Sequence, residues 1–213
     1  MTSRVLRLPD HLHAIRTPEA YPGQRIGLMG GTFDPPHSAH VAHSELVLRR
    51  LGLDRLWWLV TPGNPLKSRS TLAPLAERLE ASRRLARHPA IRVTAFEESL
   101  GTTYTAEALM FLKTRFPGVH FVWIMGGDNL AGFHRWRHWR RIAANFPIAV
   151  IDRPAWRLKA LASPAARALA RHRFPDERAA LLANREPPAW VYLSNKLLPH
   201  SSTAIRSANG TSK

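Results

Sequence analysis

The chain has 213 residues, 45% hydrophobic and 22% charged, and no cysteine. Such a composition belongs to an ordinary globular chain with room for one sizeable core, and it excludes disulfides and thiolate metal sites. Lysine and arginine number 31 against 15 acidic residues, a formal charge of +16, which favours anionic partners such as nucleic acid, an anionic membrane or phosphorylated small molecules. The excess is mostly arginine spread along the chain, the pattern also expected of a generally cationic, solvated surface. No apolar run approaches the ~18 residues that a membrane span needs. Met1–Gln24 carries arginines but lacks the apolar core of a secretory signal. We read residues 1–24 as a loosely held extension, residues 25–213 as one domain, and the location as cytoplasmic.

In chain order, Ile26-Gly27-Leu28-Met29 reads as a strand that ends in Gly30-Gly31. A Pro35-Pro36 turn follows, and then a helical stretch, Ser38–Leu51, whose Val41, Leu46, Val47 and Leu48 face inward. Leu56–Val60 is a continuous apolar run, as a strand buried on both faces should be, and Thr61–Lys67 is a rigid loop at its C-terminal end. Pro74–Arg87 is helical with Leu75, Leu79 and Leu85 inward, and Ile91–Ala95 is a short strand. Thr105–Phe116 forms the next helix, with Ala108, Leu109 and Leu112 inward. The strand Val119–Met125 ends in Gly126-Gly127-Asp128. Trp136–Ala144 reads as a basic helix, Ile148–Ile151 as a fifth strand, and Arg157–Asn184 as one or two helical pieces with an exposed connection. Ala189–Leu193 reads as the last strand. This alternation predicts an α/β fold with a mostly parallel sheet, whose ligands sit beyond the C-terminal ends of its strands.

Two stretches carry chemistry on their own terms. In Gly30-Gly31-Thr32-Phe33-Asp34-Pro35-Pro36-His37-Ser38-Ala39-His40, the glycines let backbone N–H groups approach an anion, and a helix N-terminus adds partial positive charge. His37 and His40, at i and i+3, lie on one helix face and can both donate to phosphate oxygens. One histidine alone would read as a turn cap. The pair behind a glycine turn reads as an anion cradle. His43 extends the row and raises zinc, but there is no cysteine and Glu45 is off that face, so no protein metal site is expected. In Ser201-Ser202-Thr203-Ala204-Ile205-Arg206, hydroxyl residues open a helix and Arg206 can bind phosphate bidentately. An ordinary Ser/Thr N-cap accounts for the hydroxyls alone; beside the first motif they read as a second phosphate clamp.

The stretch GGTFDPPHSAH resembles the G-G-[ST]-F-[DN]-P-x-H-x-G-H signature of the nucleotidylyltransferases, with Ala39 where the pattern has glycine. Ser201–Arg206 resembles the family's [IV]-S-S-T-x-[IL]-R, with His200 in place of the aliphatic residue. Three further stretches are similar to bacterial nicotinate mononucleotide adenylyltransferases. Thr61–Lys67 resembles P-x-N-P-x-K, Thr103–Leu109 resembles [ST]-Y-T-x-x-T-L, and Gly126–Trp136 with Asp152-Arg153-Pro154 resembles G-x-D-x-L…F-x-x-W…R-x-P. Together they run from about residue 25 to 206 in the family's order.

The resemblance implies a Rossmann-like, doubly wound fold with a C-terminal helical clamp, and adenylyl transfer from ATP to nicotinate mononucleotide. His37, His40, Arg206 and Lys67 would be catalytic, and Gly30, Gly31, Thr32, Phe33, Asp128, Ser201, Ser202 and Thr203 would complete the ATP site. Asn64, Lys67 and Arg153 would line the mononucleotide, Trp136 would stack on its pyridine ring, and amides near Tyr104-Thr105 and Trp136 would receive the carboxylate. Mg²⁺ would ride on the ATP phosphates. No membrane or nucleic-acid partner is expected, and a homo-oligomer stays open. The alternatives are another phosphate acceptor, such as nicotinamide mononucleotide or phosphopantetheine, and a nucleic-acid-binding module built on the Arg/Trp run around Trp136 and Trp139.

Overall fold

A computed structural model describes residues 16–63 and 72–194. Seven strands are described: β1 (Arg25–Gly31), β2 (Arg55–Val60), β3 (Ile91–Thr94), β4 (His120–Gly126), β5 (Ile148–Ile151), β6 (Arg173–Phe174) and β7 (Trp190–Leu193). They form one sheet in the order β3-β2-β1-β4-β5-β7-β6, and every adjacent pair is parallel. The strand order reverses between β1 and β4, which makes the crevice over their C-terminal ends the natural ligand position of such a sheet. The expected mostly parallel sheet is thus wholly parallel among the described residues.

Alternation along each strand feeds two cores. From β2, Trp57 and Leu59 join Phe96, Leu109, Leu112, Leu130, Phe133, Trp139 and Ile142 on one face. Leu56, Trp58 and Val60 join Leu46, Val47, Leu51, Leu79 and Leu182 on the other. Helices α1 (Ser38–Arg50) and α2 (Leu75–Leu85) therefore cover one face, and α4 (Thr105–Arg115) and α6 (Trp139–Asn145) the other. Between these lie α3 (Phe96–Ser99) and α5 (Gly127–Gly132), which follow directly on strand ends. Two short helices, α7 (Arg157–Leu161) and α8 (Pro164–Ala168), follow β5.

Three readings of the sequence change. The basic helix expected from Trp136 starts at Trp139, because Phe133–Arg135 is a 3-10 turn, Trp136 is extended and His138 sits at φ 57. That left-handed residue breaks the helical path, so Trp136 is presented from a loop and Trp139 from a buried helix face. Arg157–Asn184 contains, besides helical pieces, the edge strand β6, too short to show a period-2 pattern. Residues 16–24 of the expected loose extension are tied to the sheet: the Thr94 hydroxyl donates to the Arg16 carbonyl (2.8 Å), Gly23 N–H to Gly118 O (2.8 Å) and His120 N–H to Gln24 O (2.8 Å).

One close approach positions the site. A methyl group on Gly30 would stand 2.6 Å from Cη2 of Trp123, on the neighbouring strand, so the indole occupies the space a side chain would take. Gly30→Ala is expected to destabilise the fold by about 1–3 kcal/mol, as overpacking does, and Trp123→Phe in the same chain should recover part of it. Thermal melting of the single and double variants measures that coupling.

Candidate active site

The site is built over the C-terminal ends of β1, β4 and β5. After Gly31 the chain turns through Phe33, a non-glycine residue at φ 48, a backbone state that surrounding packing has to enforce. Phe33 is buried and stacks on Trp58, with ring centroids 4.9 Å apart and planes 17° apart. It also lies 4.8 Å from the His40 ring. The Trp58 indole N–H donates to Ser44 Oγ (2.8 Å), whose hydroxyl donates to the His40 carbonyl (2.7 Å), and this ties the first turn of α1 to β2.

His37 is the N-cap of α1, in extended conformation, and His40 is its third helical residue. Their ring centroids are 3.9 Å apart, and the His37 backbone N–H donates to His40 Nδ1 (3.1 Å). With Nδ1 accepting, the neutral His40 ring carries its proton on Nε2, which leaves Nε2–H as its donor. Ala39 is completely buried, so its methyl is covered by protein in the ligand-free chain.

The imidazoles lie in a cationic field. His40 is held well below the usual histidine pKa, first by burial and then by His37, Arg153 and His43. Burial, Arg153 and His37 push His43 down to about 4. Both are therefore neutral at pH 7 in the free protein. Arg153, which follows β5, places Nε 3.5 Å from Oδ1 of Asp128, in the first turn of α5. A side chain on Gly126 would collide with both groups, with Nε only 2.7 Å away.

Tyr104 is the N-cap of α4 and Thr105 its first residue. Arg137 lies over the Tyr104 ring, 4.5 Å from its centroid, with Nη1 3.9 Å from Glu107. The Tyr104 N–H donates to Thr102 Oγ1 (3.1 Å) and the Trp136 N–H to Phe133 O (2.9 Å), so these two amides are engaged. The amides of the first turn of α4, at Thr105 and Ala106, have no intrahelical acceptor and are the donors this end offers. Trp136 is half-buried, edge-on to Trp123 (6.3 Å) and Phe133 (5.5 Å). Trp123 thereby touches both halves of the site, Gly30 on one side and Trp136 on the other.

The fold thus brings together Gly30, Gly31, Thr32, Phe33, His37 and His40, and sets Asp128 and Arg153 beside them. Tyr104, Thr105 and Trp136 form a second cluster. Asn64, Lys67, Ser201, Ser202, Thr203 and Arg206 lie outside the described residues. Two features escaped the sequence reading. Arg78, only 3% exposed, donates to the carbonyls of Ala73, Thr32, Thr61 and Pro62. Its one sequence signal is a charge at i+3 in the apolar stripe Leu75, Leu79, Ser82. Asp152 is buried and bound by the Arg157 guanidinium, five residues on, and by the Tyr192 hydroxyl, forty residues on and too distant in sequence to suggest a cluster.

The cytidylyltransferase-like family model matches residues 28–208, most of the chain. The chain is 54% identical over 183 residues to a protein of Rhizobium meliloti (strain 1021) named probable nicotinate-nucleotide adenylyltransferase, covering 86% of this chain and 97% of that one. A Bradyrhizobium sp. (strain BTAi1) protein of the same name is 54% identical over 189 residues, 89% and 98% of the two chains. The chain belongs to the nicotinate-nucleotide adenylyltransferases of the cytidylyltransferase-like family. The Plasmodium falciparum nicotinic acid mononucleotide adenylyltransferase complexed with NaAD shares the fold, with a TM-score of 0.63 at 18% identity over 86% of this chain and 83% of that one. In this member of the adenylyltransferase family, no described helix is long and apolar enough to cross a membrane.

Because His43 has its folded pKa depressed from 6.5 to about 4, the unfolded chain binds more protons in that window. The stability held above pH 6.5 is lost as pH falls toward 4, by up to roughly 3 kcal/mol from this group. Denaturant unfolding at several pH values should therefore show a shallower acid loss for His43→Asn than for the parent. In NMR titrations, Arg153→Met should move the His43 midpoint upward.

Proposed function

We propose that this chain transfers the adenylyl group of ATP to nicotinate mononucleotide, releasing pyrophosphate and forming nicotinate adenine dinucleotide, a step of NAD biosynthesis. The observation that carries the reading is the pair His37 and His40, rings 3.9 Å apart, at the switch point of a parallel sheet, in a chain 54% identical to relatives with that name.

The mononucleotide 5′-phosphate is already anionic, so attack on the α-phosphorus needs no strong general base. Its oxygen forms the new P–O bond as the bond to the departing pyrophosphate breaks. Catalysis is alignment plus charge stabilisation. His37 and His40 donate to the phosphates, and the N-terminus of α1 adds its partial charge. Neutral in the free protein, His40 and His43 are brought toward protonation when a triphosphate enters, because an adjacent anion raises an imidazole pKa. Asp128 accepts from ribose hydroxyls, and Arg153, freed from Asp128, turns to a phosphate. Trp136 supplies a face for the pyridine ring, and the α4 amides receive its carboxylate. Arg206, with Ser201, Ser202 and Thr203, clamps the leaving pyrophosphate, while Asn64 and Lys67 hold the mononucleotide. Asp128 is taken up by the ribose hydroxyls in this reading, so Mg²⁺ would enter with ATP as part of the substrate, held by its phosphates and water.

Pyrophosphate release with ATP and each acceptor in turn tests the assignment, with nicotinate mononucleotide expected to be turned over best. His40→Ala should cut turnover ~10²-fold or more, as loss of one transition-state donor does; parental turnover in that variant would sink the mechanism. Calorimetry of ATP binding in buffers of different ionisation enthalpy should reveal proton uptake below pH 7, and uptake should shrink in His40→Ala.

A further inference from the structure

The ladder between β1 and β2 ends at the pair Gly31 and Val60, with one more bond from Thr61 N–H to Gly31 O (3.0 Å). Beyond it the two chains part. One turns through Phe33 toward His37, and the other runs through Pro62-Gly63. A single guanidinium spans the parting. Nη1 of Arg78 donates to Thr32 O (2.6 Å) and Thr61 O (2.9 Å), Nη2 to Pro62 O (3.5 Å) and Nε to Ala73 O (2.9 Å). The helix holds the arginine in place through its backbone, with Arg78 N–H on Pro74 O (3.2 Å) and Ser82 Oγ on Arg78 O (2.7 Å).

A cation so covered needs a reason. Burial lowers its pKa while Asp34 and Glu98 act in the opposite sense, and arginine keeps its charge even so. What it gains is geometric: five N–H donors in a rigid planar fork meet several carbonyls at fixed spacing, which lysine's compact ammonium does not do. A purely apolar residue would leave those carbonyls without their side-chain donors and the two loops without their link.

We propose that Arg78 is a positioning residue for catalysis: it sets the separation of the loop that carries the histidine pair from the loop Thr61-Pro62-Gly63 at the end of β2. It touches neither nucleotide and acts through Thr32, Thr61 and Pro62. This rests on the adenylyl-transfer reading, in which the two loops hold the two reactants.

Arg78→Lys and Arg78→Met test it, with pyrophosphate release and amide hydrogen exchange measured on each. Both variants should fold, with β4 amides protected as in the parent and faster exchange confined to residues 31–34 and 61–63. Turnover per folded molecule should drop by ~10²-fold, as a misplacement of about an ångström does. In a His40→Ala background the further loss should be small, because a misplaced histidine turn no longer matters once its donor is gone. Parental turnover in a folded Arg78→Lys overturns the proposal, as does failure of both variants to fold, which would make Arg78 a residue of stability alone. A parent that releases no pyrophosphate refutes the adenylyl-transfer reading instead, and the exchange at residues 31–34 and 61–63 still decides whether Arg78 holds the loops.

Discussion

The indole of Trp123 occupies the place where a side chain on Gly30 would stand, and the layout of the site depends on that substitution of ring for side chain. β1 and β4 are neighbours at the reversal of strand order, so their C-terminal ends bound one crevice. Filling the near wall with an aromatic from β4 does two things. It leaves the Gly30-Gly31 backbone without a side chain at the turn, and it gives Trp136 an edge to pack against. The histidine turn and the Trp136 loop are thus referred to one rigid body, although more than ninety residues of chain lie between them.

Two arginine–carboxylate pairs next to β5 show how the fold separates structure from readiness. Asp152 has almost no exposure and takes both the Arg157 guanidinium and the Tyr192 hydroxyl; burial and that carboxylate push the tyrosine pKa up. Removing one partner would strand a buried charge, so the cluster behaves as a fixed brace. Asp128 and Arg153 instead meet through a single contact of 3.5 Å, too long for a hydrogen bond between its two buried atoms, on side chains that are otherwise partly exposed. A contact that lacks hydrogen-bond geometry holds its partners less firmly than the Asp152 cluster holds its own. The same guanidinium helps keep His40 and His43 neutral.

Much of this was legible in the chain. Leu56–Val60 shows a strand buried on both faces by its unbroken apolar run, and the helix over Ser38–Leu51 follows from its inward positions. Both stand as read, because burial on a regular element leaves a periodic trace. Trp136 shows where such reading stops. Its neighbours have helical composition, yet one left-handed residue, His138, moves the helix start to Trp139, and no side-chain pattern encodes that. Arg78 failed to stand out for a related reason. Its partners are backbone carbonyls, which every residue has, so they carry no sequence signal.

The sequence by itself determined the alternation of strands and helices, the glycine turn with its two histidines, and, through motif order, the family. These are local properties: periodicity and residue type act within a turn or two of the chain. Only the tertiary structure decided that Gly30 makes room for Trp123, that Arg153 faces Asp128 and lends its charge to the histidines, and that Arg78 spans two loops. Each of these joins residues distant along the chain through the packing of a buried parallel sheet. The energy of such a contact depends on where the third dimension places its partners, and a linear pattern has no term for that.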